Sequence, residues 1–282
     1  MGQPERQVQS EPALSRRHEA GAPSARGMLL TLLGEFVLPG DGMAWTGAIL
    51  TAFERLGVAE KAARQALMRT SNAGWLEPEK FGRRTRWRLT PSATKLLTDG
   101  AERIYSFGPA PEWDGRWVLV QVRIPESDRR ARHVVRTRLT WAGFGSLGAG
   151  LWISPHPVRV TEAERVLRDA GVADAAHVFV ARRTGMTDTT AMVAQAWDLP
   201  AIEAEYERFT AEFGAQAPDG DVLARQLALV HAWRRFPSLD PALPRELLPA
   251  RWTGTVAAQL FASRHEQWLD GSRREWKRLN NL

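Results

Sequence analysis

Side chains suited to reading DNA bases recur at helical spacing around residue 65. They are Lys61, Arg64, Gln65, Arg69 and Asn72. Residues three and four positions apart share one face of an α-helix, so these side chains would project from the same side. Arginine and glutamine can each form two hydrogen bonds with the edges of guanine and adenine, whereas lysine suits a phosphate. The spacing predicts a helix whose outer face enters the major groove of double-stranded DNA; the alternative is a solvated basic face.

A second basic cluster lies in the turn 81–84, which has the sequence FGRR. A strand beginning at Trp75 leads into this turn, and residues 85–89 alternate between polar and apolar side chains as a returning strand. A helix followed by a strand, an arginine-rich tip and another strand is the layout of a winged helix. We therefore expect the hairpin to lie along the DNA backbone or in the minor groove. Its anchoring residues would be Arg83, Arg84 and Arg86.

The distribution of charge also indicates a polyanionic partner. The 282-residue chain has a formal net charge of +6. The segment from Lys61 to Arg88 contains eight basic and two acidic residues, so this segment alone equals the surplus of the whole chain. A local surplus of this kind is typical of nucleic-acid binding. It disfavours the alternative in which the winged helix is only a protein–protein interaction module.

The N-terminal elements that would position these side chains begin with an amphipathic helix. Its apolar residues lie at 29, 32, 33, 36 and 37, and it should stop before the PGDG turn at 39–42. A short strand at 44–45 follows. Thr46 is then the expected N-cap of a second helix that reaches about Leu56.

The helix that carries the base-reading face should run from about residue 59 to residue 73. Its inner stripe is expected to be small and apolar, formed by Ala59, Ala63, Ala66 and Leu67. Such a thin inner face lets a helix sit close to its neighbours and push its outer face into a groove. Gly74 can end this helix in the left-handed conformation. Thr90-Pro91 then starts a linker helix that reaches about Tyr105.

Six stretches of the sequence resemble the PaaX family of regulators, in the family's order, and cover nearly everything after residue 26. They are LLTLLGEFVLPGDGMAW (29–45), GWLEPEKFGRRTRWRLTP (74–91), EWDGRWVLVQVRIPES (112–127), RTRLTWAGFGSLGAGLWISP (136–155), WDLPAIEAEYERF (197–209) and HAWRRFPSLDPALPRELLPARWTG (231–254). The resemblance implies a dimeric repressor of aromatic-compound catabolism genes. It also implies release from the operator by an aromatic acyl-CoA such as phenylacetyl-CoA.

The middle of the chain alternates strands and helices as β-α-β-β-α-β, which suggests a ferredoxin-like fold. Its recognisable elements are strands at 116–124, 151–154 and 177–181 and helices at 126–141 and 161–169. The family's middle domain is similar to a small CRISPR-associated nuclease fold, in which an aspartate at the end of the first strand binds the metal ion. Here Arg123-Ile124-Pro125 occupies that region, so we do not expect a metal-dependent nuclease.

The first helix of this middle part contains Arg129, Arg130, Arg132, Arg136 and Arg138. This arginine-rich helix would bind phosphate, from DNA or a CoA tail, or form a solvated or dimer face.

The expected class is therefore α+β, with the chain divided into five parts. They are a disordered arm (1–25), a winged-helix domain (26–90), a linker helix (91–110), a ferredoxin-like domain (111–185) and a helical C-terminal domain (197–282). The last part would serve dimerisation and effector binding. Its aromatic residues suit a core or an aromatic-ligand pocket, and the sequence does not locate the effector site.

Other function classes find little support. The chain has no cysteine, and its histidines form no metal-like cluster with carboxylates. No nucleophile has a recognisable base nearby, and no apolar run approaches the roughly 18 residues of a membrane span. We therefore expect a cytoplasmic protein that has no cofactor, metal or catalytic residue and binds operator DNA. The resemblance to the PaaX family adds the expectation of a homodimer that binds a small-molecule effector. The alternative is an enzyme that processes nucleic acid or acyl-CoA, with the winged helix as a targeting module.

Overall fold

The computed structural model describes residues 24–108, 112–186, 188–215 and 220–281. Most of the predicted disordered arm lies outside these residues. The chain divides into two units, of which the first contains residues up to Glu102 together with 220–231 and 267–282. The second contains residues 103–219 and 232–266. Both units mix helices and strands in the described segments, which confirms the predicted α+β class. The five-part division of the chain stays a prediction.

The first unit begins with helices and a hairpin close to the predicted positions. Its elements are α1 (Ala25–Leu32), β1 (Met43–Trp45), α2 (Thr46–Glu54), α3 (Glu60–Asn72), β2 (Leu76–Phe81), β3 (Arg84–Leu89) and most of α4 (Pro91–Tyr105), whose last three residues are counted with the second unit. A π-helical turn, Leu33–Val37, continues α1 and was not predicted. The strands form an antiparallel sheet in the order β1-β3-β2. The predicted capping of α4 is confirmed, because the Ala93 amide donates to Thr90 Oγ1 over 3.2 Å.

One apolar core joins the helices of the first unit. Leu29, Leu32, Ile49, Phe53 and Leu67 are almost completely buried in it. Residues from the end of the chain belong to the same core, including Trp276, whose ring stacks on Phe36 with centroids 5.9 Å apart. The core is therefore assembled from segments that are distant in sequence.

Two local predictions for this unit are wrong. Thr46 is not the N-cap of α2, because Trp45 occupies that position without a side-chain capping bond. The Thr46 hydroxyl instead donates to the Thr85 carbonyl over 3.0 Å and accepts from Trp87 Nε1 over 2.9 Å. Ala59 is not part of the inner stripe of α3, because it is the exposed residue that precedes the first helical turn.

The second unit contains a four-stranded antiparallel sheet with strand order β5-β6-β4-β7. Its elements are β4 (Arg116–Val122), α5 (Arg129–Trp141), β5 (Gly145–Gly148), β6 (Leu151–Ser154), α6 (Val160–Asp169) and β7 (Ala176–Arg182). Helix α5 begins three residues later than predicted, where the Asp128 carboxylate accepts from the Ala131 amide over 2.9 Å. The core of this region lies between the sheet and both helices, with Val118, Val135 and Val166 at its centre.

The remainder of the chain is helical in the segments that the structure describes. Its helices are α7 (Thr189–Ala196), α8 (Leu199–Gly214), α9 (Val222–Trp233), α10 (Phe236–Leu239) and α11 (Thr253–Asn280). Aromatic rings fill the core among the helices of the second unit. Tyr206 stacks on Phe236 with centroids 4.1 Å apart, and Trp233 stacks on Phe261 at 4.6 Å. These buried rings serve as core.

The ring of His156 in the second unit should make stability depend on pH. Burial, with a smaller effect from the charge of Arg159, lowers the pKa of His156 from 6.5 to about 4. The unfolded chain therefore binds more protons than the folded chain between these values, so acidification from pH 6.5 to pH 4 removes stability. We expect His156→Asn to reduce this loss, measured by urea unfolding across the interval. His133→Asn, at an exposed position of α5, is the control; an unchanged pH slope in His156→Asn would contradict the prediction.

Candidate nucleic-acid interface

Helix α3 brings the five side chains predicted to contact the major groove onto one exposed face. Lys61, Arg64, Gln65, Arg69 and Asn72 are all exposed. Together with Glu60 and Met68 they line a shallow concavity of about 720 Å³. Donors for phosphates and for base edges are therefore grouped on one helix surface.

The opposite face of α3 packs closely against α1 and α2. Ala63, Ala66, Leu67 and Thr70 are buried there. Alanine side chains keep the distance between helix axes short, and the Thr70 hydroxyl is satisfied within the helix because it donates to the Ala66 carbonyl over 2.8 Å. This packing fixes the orientation of the exposed face.

The charge on the exposed face is only partly compensated. Arg64 Nε lies 2.7 Å from Glu60 Oε1, but both side chains are more than half exposed. Such a pair on a helix surface contributes about 0.3–0.5 kcal/mol, so a phosphate or a base can displace Glu60 at little cost. Lys61 and Arg69 have no carboxylate partner among the residues that the structure describes.

The β2–β3 hairpin places its arginines at its tip and along one face of the sheet. Gly82 and Arg83 form its two-residue turn, and Gly82 has φ +59°, as the first central residue of a type II′ turn requires. Arg84, Arg86 and Arg88 alternate with the inward residues of β3 and therefore share the outer face of the sheet. Arg83 is exposed at the tip and has no ion-pair partner within the described segments.

Aromatic rings and Glu79 hold the arginines on this outer face. The Arg84 guanidinium lies 4.2 Å from the ring centroid of Trp45, and the Arg86 guanidinium lies 4.8 Å from that of Phe81. Arg86 Nη2 also donates to Glu79 Oε2 over 2.9 Å. Arg88 contacts the same carboxylate. Arg86 therefore braces the hairpin, whereas Arg83 and Arg84 remain exposed.

Sequence reasoning missed Trp45, Phe81 and Glu79 as supports of the hairpin. The register pairs Trp45 and Glu79 with Arg86 from opposite sides, and Phe81 with Arg84. Alternation along each strand could have placed these residues on the arginine face. The pairing of β1 with β3, however, joins segments some forty residues apart and has no local signal.

A second concavity, of about 690 Å³, lies within the second unit. Apolar side chains, including Phe107, Leu243 and Trp252, line much of it. Arg245 and Arg251 add positive charge to its lining, and no ion pair of either is found in the described segments. Size and lining suit an organic anion with an apolar or aromatic body.

Within the described residues, no group of three or more histidine and acidic side chains is placed to hold a metal ion. No described helix combines the length and the apolar character that a membrane crossing requires.

Comparison with known proteins gives consistent matches along the chain. Family models match residues 24–93 (PaaX-like protein), 110–193 (PaaX protein central Cas2-like domain) and 197–278 (PaaX-like protein C-terminal domain). The transcriptional repressor PaaX of Escherichia coli (strain K12) is 33% identical over 251 residues, which cover 84% of this chain and 78% of that protein. The uncharacterized protein Rv0674 from Mycobacterium tuberculosis has a similar fold, with a TM-score of 0.64 and 23% identity over 90% of this chain and 99% of its own.

These matches decide between the function classes that the sequence left open. The relative with substantial identity is a transcriptional repressor, a class of protein that is not enzymatic, so the enzyme alternative is set aside. The resemblance found in the sequence is confirmed over all three matched segments. The chain belongs to the PaaX family of transcriptional repressors.

Proposed function

We propose that this repressor binds operator DNA through the exposed face of α3. The observation that carries the proposal is the grouping of Lys61, Arg64, Gln65, Arg69 and Asn72 on one face backed by small residues. Arg64, Gln65, Arg69 and Asn72 read base edges, and Lys61 contacts a phosphate. Arg83, Arg84 and Arg86 add backbone or minor-groove contacts, with a smaller contribution from Arg86 because its guanidinium is also bound to Glu79.

The architecture supports the corresponding domain assignments. Helices α1–α3 followed by the β2–β3 hairpin, with β1 added to the sheet, have the layout of a winged helix-turn-helix. The strand order β5-β6-β4-β7 and the strand–helix–strand–strand–helix–strand sequence fit a ferredoxin-like middle domain. We assign residues 26–90 and 111–185 to these domains, 91–110 to the linker and 197–282 to a helical C-terminal domain.

The regulatory part of the proposal is a cytoplasmic homodimer that binds an inverted repeat and is released by an effector. Two recognition helices related by a two-fold axis require half-sites spaced by whole helical turns. We propose genes of aromatic-compound catabolism as targets and an aromatic acyl-CoA, such as phenylacetyl-CoA, as effector. The aromatic-lined cavity of the second unit has space for the acyl part.

Fluorescence anisotropy with DNA from the protein's own promoter region tests binding and release together. We expect specific binding that phenylacetyl-CoA abolishes and free phenylacetate does not. Specific binding that is indifferent to the thioester would remove this effector while keeping the repressor. Equal affinity for promoter and random DNA at physiological salt would refute operator reading.

Arg64→Ala should selectively weaken operator binding. The loss of one bidentate base contact is expected to cost about 1–3 kcal/mol for the operator and much less for random DNA. Glu60→Ala should instead strengthen operator binding, because it removes the carboxylate that competes for Arg64. Lys95→Ala, on the exposed surface of α4, is the control. Equal losses for operator and random DNA in Arg64→Ala would refute its base-reading role.

Arg83→Ala should weaken all DNA sequences alike, because the exposed tip of the hairpin contacts phosphates. We expect the slope of log Kd against log salt to fall by about one. The charge of Arg86 is offset by Glu79, so Arg86→Gln should change this slope less. A loss in Arg83→Ala confined to the operator would instead indicate a base contact.

A further inference from the structure

A cavity of about 610 Å³ beside the four-stranded sheet of the second unit has a basic lining. The end of β4, the first half of α5 and the β5–β6 hairpin surround it. Its volume lies within the roughly 300–1,000 Å³ of small-ligand sites. None of the residues assigned to DNA binding above contributes to it.

Three arginines line this cavity against a single acid. Arg123 follows β4, and Arg132 and Arg136 lie one turn apart on α5; Glu126 is the acidic lining residue. None of the three guanidinium groups makes an ion pair within the described residues. Arg138, on the same helix, is by contrast paired with Asp169 over 2.8 Å. Like charges one helical turn apart repel each other, so the site gains stability when an anion enters.

The turn of the β5–β6 hairpin lines the same cavity. Its two residues, Ala149 and Gly150, both have positive φ, +48° and +78°. Their carbonyls are held towards β4, because Ala149 O accepts from Gln121 Nε2 over 3.1 Å and Gly150 O accepts from the Val122 amide over 3.0 Å. Their N–H groups have no acceptor in the part of the chain that the structure describes. The two residues that carry these unused backbone donors are therefore part of the cavity lining.

The close approach of this turn to β4 depends on a glycine. A Cβ atom at residue 150 would lie 2.1 Å from the Val122 carbonyl oxygen. Any larger residue would push the turn away from β4 and open the cavity. The position of the N–H groups is thus set by the packing of the hairpin.

We propose that this cavity binds the phosphate groups of a nucleotide-sized ligand. Guanidinium groups and backbone N–H groups are the donors that proteins use for phosphate oxygens. Three positive charges against one negative charge suit a dianion or pyrophosphate better than a single carboxylate. The one acidic lining residue is too few for a divalent metal ion. The proposal does not depend on operator reading, since no residue of α3 takes part.

Isothermal titration calorimetry of the full chain with pyrophosphate, ADP and adenosine tests this site. We expect pyrophosphate and ADP to bind at physiological ionic strength and adenosine not to bind. The double variant Arg132→Gln/Arg136→Gln should weaken both by about tenfold or more, since two charge-assisted contacts are lost. Arg129→Gln/Arg130→Gln makes the same change in charge at exposed positions of α5 outside the cavity. It should bind as the parent does.

Several outcomes would overturn the proposal. They are absence of pyrophosphate and ADP binding to the parent chain, binding of adenosine as tight as that of ADP, or equal losses in both double variants. The last result would indicate diffuse attraction to a basic helix. If the two double variants differ only in their affinity for random duplex DNA, the site contacts DNA phosphodiesters instead of a nucleotide.

Two further variants keep the test decisive. If thermal unfolding shows that Arg132→Gln/Arg136→Gln is not folded, Arg123→Gln, on a different element, replaces it with the same expected loss. Arg64→Ala should retain parental pyrophosphate affinity. A failure of the phosphate site is thereby separated from a failure of operator reading.

Discussion

The close packing of α3 against its neighbours is the constraint on which the proposed DNA-binding surface depends. Ala63 and Ala66 are almost fully buried, and the buried hydroxyl of Thr70 is satisfied within the helix. A larger side chain at either alanine would cost about 1–3 kcal/mol and push α3 outward. All five candidate contact residues would move together, because they are fixed to the same rigid helix.

The positions of a few carboxylates decide which arginines are available for binding. Glu79 engages Arg86 and Arg88, so the hairpin uses two of its four arginines to stabilise itself. Asp169 does the same for Arg138 on α5. The net charge of a segment therefore overstates its binding capacity. What matters is the set of guanidinium groups that lack a carboxylate within reach, since those alone gain fully from a phosphate.

The sequence predicted the elements whose signals are local. Gly74 has the expected positive φ, the turn at 82–83 lies within the predicted turn, and Thr90 caps α4 as expected. The errors occur where a distant segment decides the outcome. Thr46 bonds to β3 instead of capping α2, and β5 forms in a glycine-rich stretch that by itself suggests turns. The grouping of the α3 face followed from helical periodicity, whereas the aromatic and acidic supports of the hairpin required knowledge of strand pairing.

The hairpin also depends on the far end of the chain. Asn280, at the end of α11, accepts from the Trp45 amide over 2.8 Å and donates to the Met43 carbonyl over 3.1 Å. These two bonds hold β1, which carries the ring on which Arg84 stacks. A displacement of this end of α11 must therefore break both hydrogen bonds or carry β1 with it. Breaking them would leave two partly buried backbone groups of β1 without their partners, which is unfavourable. Moving β1 would instead change the support of Arg84, so the β2–β3 hairpin and the end of α11 cannot change position independently.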